Sequence, residues 1–114
     1  MLVLVCGDRN WTDRQKVADR LATLPQGTTV IHGACRGADR IAGEEASKRG
    51  FTVKEFPANW SKYGKMAGPV RNSQMLAEKP DLVLAFHPDI EGSKGTGDTV
   101  RKARTARIMV EVIT

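Results

Sequence analysis

The chain has 114 residues, a formal net charge of +5, 40% hydrophobic and 27% charged residues. That length fits one domain of roughly 100–200 residues, and the balance excludes a disordered tail or a fibre. No apolar run approaches the ~20 residues that a membrane helix needs.

The apolar amino-terminal run is short and lacks a basic leader. It reads as a buried strand rather than a signal, so the cytoplasm is the expected compartment. Two cysteines, Cys6 and Cys35, are too few for a disulfide framework. The positive charge fits an anionic partner, and it equally fits a soluble surface. Aromatic residues make up only 5%, which speaks against a platform for stacking single-stranded nucleic acid.

Residues 2–6 form the first apolar run and predict a strand. In residues 13–24, Val17, Leu21 and Leu24 share one helical face. Thr12 or Asp13 can cap that helix, and Pro25 and Gly27 stop it. Residues 28–32 predict the second strand. Residues 38–49 place Ile41, Ala42 and Ala46 on one helical face, and Gly50 ends the pattern. The third strand, 51–56, alternates more than the others. An irregular stretch, 57–68, precedes a helix at 69–78 that begins with Pro69. Residues 82–86 predict the fourth strand and 87–95 a second irregular stretch. A last helix, 96–106, carries Val100 and Ala103 and leads to a fifth strand at 108–113. Continuous apolar runs of this length predict strands buried on both faces.

Strand and helix thus alternate with no repeat, linker or low-complexity tract. The alternation predicts a single α/β domain over residues 1–114. Its expected form is a Rossmann-like three-layer sandwich with a five-stranded, mainly parallel sheet in the order 3-2-1-4-5.

Open parallel sheets bind ligands beyond the carboxyl ends of their strands. The unusual residues of this sequence fall there. Gly7-Asp8-Arg9-Asn10-Trp11 follows the first strand, and His32-Gly33-Ala34-Cys35-Arg36-Gly37-Ala38-Asp39 follows the second. The third is followed by Asn59-Trp60-Ser61-Lys62-Tyr63-Gly64-Lys65 and then Pro69-Val70-Arg71-Asn72. The fourth is followed by His87-Pro88 and Gly92-Ser93-Lys94-Gly95-Thr96-Gly97-Asp98. Glycine loops that open a helix let backbone N–H groups approach an oxyanion. Arg9, Arg36, Arg71 and Lys94 would ring the crevice, and Trp11, Trp60 or Tyr63 could stack a base. A nucleotide or another phosphorylated sugar compound is the expected ligand.

Each feature also has an ordinary structural use. A glycine loop turns the chain, Trp11 packs beneath its loop, and Asp39 favours a helix dipole. Arg101, Lys102, Arg104 and Arg107 read as a solvated helix face. Neither loop matches G-x-G-x-x-G, and no G-x-x-x-x-G-K-[ST] occurs, which disfavours ordinary dinucleotide and P-loop chemistry. Cys6, His32, Cys35 and His87 all lie near strand ends and could converge on zinc, but their spacing is no known ligand motif. No metal and no cofactor is expected. A Cys nucleophile finds no designated His partner.

The four segments together, in this order, resemble the YspA-type, cpYpsA-related branch of the SLOG superfamily. Relatives include the LOG (Lonely Guy) phosphoribohydrolases, lysine decarboxylase-like proteins and the DNA-processing protein DprA. The resemblance runs over nearly the whole chain and implies a modified Rossmann sandwich that binds nucleotides or nucleotide-derived signals. It implies ligand contacts from Gly7, Asp8, Arg9, Gly33, Arg36, Gly37, Asp39, Arg71, Asn72, Gly92, Gly95, Thr96 and Asp98. Our own reading of the loops adds Trp11, His32 and Gly97. The LOG signature is P-G-G-x-G-T-x-x-E. Aligned on Gly95-Thr96, this chain has Glu91 for the proline, Ser93 for the second glycine and Thr99 for the glutamate. Asp98 is one residue earlier, about 100° around a helix.

Three functions follow as expectations. The first is a sensor or sequestering protein for a nucleotide. The second is a nucleotide hydrolase that cleaves an N-glycosidic or phosphate bond, with Asp98 as acid or base and Arg71 orienting the phosphate. The third, ranked lower, is nucleic-acid binding. A homodimer is also expected, because the outer helices are free and relatives are oligomeric.

Overall fold

The computed structural model describes all of residues 1–114. Five strands form one sheet: β1 (Leu2–Gly7), β2 (Thr29–His32), β3 (Thr52–Glu55), β4 (Leu82–Phe86) and β5 (Met109–Ile113). All four strand pairs are parallel, in the expected order β3-β2-β1-β4-β5. The chain therefore reverses its direction of travel across the sheet at β1 and β4. That is the switch point where loops diverge and leave a crevice.

Period-two alternation assigns each side chain to a layer. Val3 and Val5 face one side with Val30, Leu82, Leu84 and Phe86. There α1 (Arg14–Leu21) and α2 (Ala38–Lys48) cover them through Val17, Leu21, Ile41, Ala42 and Ala46. Leu4 and Cys6 face the other side with Ile31, Val83 and Ala85. Met75 of α4 (Ala67–Ala77) and Val100 and Ala103 of α5 (Gly95–Thr105) close that layer. No helix is long and apolar enough to cross a membrane.

Several local expectations are corrected. The first helix ends at Leu21 rather than 24, although Leu24 still packs into the core beyond it. Asp13 is its cap, accepting the Lys16 N–H at 3.1 Å. The stretch 57–68 is not irregular throughout. It holds a short helix α3 (Trp60–Tyr63) and a 3-10 turn (Gly64–Met66) that runs into α4. Asn59 nucleates α3 by accepting the Lys62 N–H. The fifth strand is not buried on both faces. It is a sheet edge, and Met109 is 71% exposed.

Candidate functional site

The loop after β1 is tied down by its own backbone. The Asp8 N–H donates to the Phe86 carbonyl at 2.9 Å, and the Asp8 carbonyl accepts from Trp11 and Ala38. The Asp8 carboxylate accepts the Asn10 N–H. Asp8 therefore stitches β1, β4 and the start of α2 together just beyond Gly7. Trp11 is only 8% exposed, with its ring 5.7 Å from that of Phe86 and its Nε1–H donating to the Asp13 carbonyl. It is committed to the core, so base stacking falls to the residues after β3.

The loop after β2 is built around Asp39. This residue is 6% exposed, and its Oδ2 accepts the N–H groups of Gly33 at 3.0 Å and Cys35 at 3.3 Å. Ala34 between them has φ +59°, an uncommon conformation for a residue with a side chain. Strain of this kind gathers at ligand sites, and composition gave no sign of it.

Burial pushes the Asp39 carboxyl up to about 6, against the lowering effect of the loop N–H groups and Arg71. A carboxyl that binds its proton more tightly in the folded chain lowers stability as pH rises from the unfolded value, near 4, through 6. The expected cost above that window is about 3 kcal/mol. Urea midpoints taken from pH 4 to pH 7 should show Asp39→Asn gaining stability on the wild type across the window. Parallel curves for the two proteins would contradict it.

Arg71 and Asn72, on α4, join the loops after β2 and β4. Arg71 Nη1 donates to the Gly33 carbonyl, and Nε donates to Asn72 Oδ1 at 2.9 Å. Asn72, 4% exposed, turns its Nδ2 to Asp98 Oδ2 at 3.1 Å and to the Gly95 carbonyl. Asn72 is thus a positioning residue that sets Arg71 against the start of α5. A Cβ on Gly33 would collide with the Arg71 guanidinium, so this glycine supplies the space in which Arg71 lies. Arg71 Nη2 makes no hydrogen bond. It borders a pocket of about 290 Å³ that Tyr63, Lys62 and Val70 also line.

At the start of α5, Ser93 Oγ accepts the Thr96 N–H at 3.1 Å, while the N–H groups of Gly95 and Gly97 find no acceptor within the chain. Thr96 is buried. Gly92 lies back in a turn, its N–H donating to Asp89. Asp98 is saturated by Asn72, Arg101 at 2.6 Å and Lys102 at 2.9 Å. Burial raises its carboxyl, but the hydrogen bonds from Lys102 and Asn72 outweigh that and hold it below its ordinary value. It stays ionised at neutral pH and is poorly placed to give up a proton. Thr99, at the LOG glutamate position, is buried with its hydroxyl on the Gly95 carbonyl. No acid occupies that position.

Arg9 and Arg36 do not join Arg71. They border a separate crevice of about 460 Å³ with Gly37 and Arg40, between the β1 loop and α2. Arg36 is held only by Asn10 Oδ1 at 3.3 Å. Cys6, His32, Cys35 and His87 form no cluster that could hold a metal ion. Period two explains why. Cys6 shares the face of Leu4, whereas His32 shares the opposite face with Val30. Burial also pushes the Cys6 thiol far above its ordinary value, which leaves it inert.

A sequence profile described as the YspA, cpYpsA-related SLOG family matches residues 1–63. The chain belongs to that family. The match includes the loops after β1 and β2, while Arg71, Asn72 and the loop into α5 lie beyond it. The chain is also similar to the "Gene 61 protein" of Mycobacterium phage D29. The two are 40% identical over 117 residues, which cover 95% of this chain and 92% of the phage protein. No solved structure matches.

Proposed function

We propose that this SLOG-family chain binds a nucleotide or a nucleotide-derived phosphorylated ribose at the carboxyl end of its sheet, as a sensor or sequestering protein. One observation carries the reading. Arg71 and Asn72 connect the Gly33 loop to the start of α5 in a single hydrogen-bonded chain, and they leave Arg71 Nη2 and the Gly95 and Gly97 N–H groups unsatisfied. Those donors suit a phosphate. Tyr63, beside Arg71 in the adjoining pocket, suits a base. Binding is favoured over hydrolysis because Asp98 is ionised and fully paired, and Thr99 replaces the LOG glutamate. Arg101 and Lys102 are likewise spent on Asp98, which thins the basic face that a nucleic acid would need.

The test is a panel of AMP, ADP-ribose, NAD and cyclic dinucleotides, followed by thermal shift with mass spectrometry of the same samples. A stabilising ligand recovered intact is the expected result. Release of a base or sugar phosphate, lost in Asp98→Asn, would replace binding by hydrolysis.

A further inference from the structure

The two edges of the sheet are built differently. The β3 edge carries Lys54 and Glu55, both more than half exposed, and such charges discourage strand pairing. The β5 edge, Met109-Val110-Glu111-Val112-Ile113, carries no lysine, arginine or proline and pairs with β4 without a bulge. Met109 is 71% and Val112 36% exposed.

The main chain shows which groups of this edge are open. The Ile113 carbonyl accepts the His87 N–H at 3.0 Å, so Ile113 turns its main chain toward β4. In a parallel ladder each residue directs both main-chain groups to one side, and successive residues alternate. Met109, Glu111 and Ile113 therefore face β4, while residues 108, 110, 112 and 114 face outward. The outer two are tied down within the chain. The Ile108 N–H donates to the Ala103 carbonyl at 2.9 Å, and Lys16 Nζ donates to the Thr114 main-chain oxygen at 2.8 Å. That leaves the N–H and C=O groups of Val110 and Val112, whose midpoint is Glu111. The side chains repeat the symmetry. Val110 and Val112 flank Glu111 on the α5 face, and Met109 and Ile113 flank it on the α1 face. The one charge at the centre is met by Arg20 of α1, whose Nε donates to Glu111 Oε2.

We propose that β5 is a self-association edge, on which two copies of this chain pair antiparallel about a two-fold axis at Glu111 and make one continuous sheet. Val110 of each copy then exchanges both main-chain bonds with Val112 of the other. Met109 of each copy packs beside Ile113 of the other. The two Glu111 carboxylates come side by side, a repulsive pair when bare, but each brings its own Arg20. A second copy is the occupant because the open groups and the apolar residues are symmetric about one residue, as an isologous contact requires. A single strand pair buries less than a standard interface, so the dissociation constant is expected on the order of 10–100 μM.

Sedimentation velocity from about 5 μM to about 0.5 mM should show the wild type passing from monomer to dimer. Val112→Lys puts a charge on the open edge and should stay monomeric, with an unchanged circular dichroism spectrum. Cross-linking reads the register. In a Cys35→Ser background only the buried Cys6 remains. There Glu111→Cys should form a disulfide-linked dimer on mild oxidation, because a residue on the axis faces its own copy at about 4.5 Å between Cα atoms. Met109 is the more exposed of the two, yet Met109→Cys should not link, since it lies about 13 Å from its counterpart. A wild type still monomeric at about 0.5 mM, a dimer that survives Val112→Lys, or cross-linking at Met109→Cys as good as at Glu111→Cys would each overturn the proposal.

Discussion

Arg71→Ala is expected to weaken nucleotide binding by about 30-fold or more, which is about 2 kcal/mol. The guanidinium holds the Gly33 carbonyl and the Asn72 side chain, and through Asn72 it touches the start of α5. Alanine removes the one cation at the meeting point of these segments. It also frees Asn72, whose Oδ1 loses its donor. Arg71→Lys keeps the charge but not the fork, so it should recover only part of the affinity. Arg71 is half-buried at the rim, away from the two cores, so both variants should still fold. Calorimetric titration of folded variants checks this. An alanine variant that binds as tightly as the wild type would move the ligand away from α4.

Gly37→Ala is expected to destabilise the domain by about 3 kcal/mol. Gly37 has φ +77° and ψ −127°, a region that side chains avoid. A Cβ there would also collide with the carbonyls of Asp8 and Arg9, backbone atoms that cannot swing aside. This is where the β1 loop rests on the start of α2, sealed by the Ala38 N–H on the Asp8 carbonyl. At roughly 4–8 °C per kcal/mol, the melting temperature should fall by about 12 °C or more. Thermal unfolding followed by circular dichroism measures it. A fall of only a degree or two would mean that the loop relaxes freely.

The sheet was legible in the sequence because its three central strands are buried on both faces. Residues 2–6 and 82–86 are continuous apolar runs, and Val30 and Ile31 carry the same pattern within 28–32, as a covered parallel strand requires. The same rule misread residues 108–113, since an edge strand can share that composition while Met109 lies in solvent. The short helix α3 was hidden because its polar residues look like a loop. Its one local signal was Asn59 placed three residues before Lys62.

Of the candidate site, Gly33, Arg71 and the start of α5 do come together as the loop positions suggested. The buried position of Asn72 and the full pairing of Asp98 depend on the packing of α4 against α5, which no local pattern encodes. The direction of His32 was available from alternation. It lies two residues after Val30 and so faces α2, away from Cys6. The close approach of α2 to the His32 ring at Gly43, where a Cβ would collide, needed the structure, since it depends on how α2 crosses β2.

The most direct measurement is an amide nitrogen–proton spectrum of the chain titrated with AMP and with ADP-ribose. Saturable shifts should concentrate at the Gly33, Cys35, Gly95 and Gly97 amides, with Arg71 side-chain signals moving in step. Shifts confined to the exposed face of α5, or none at saturating ligand, would contradict this.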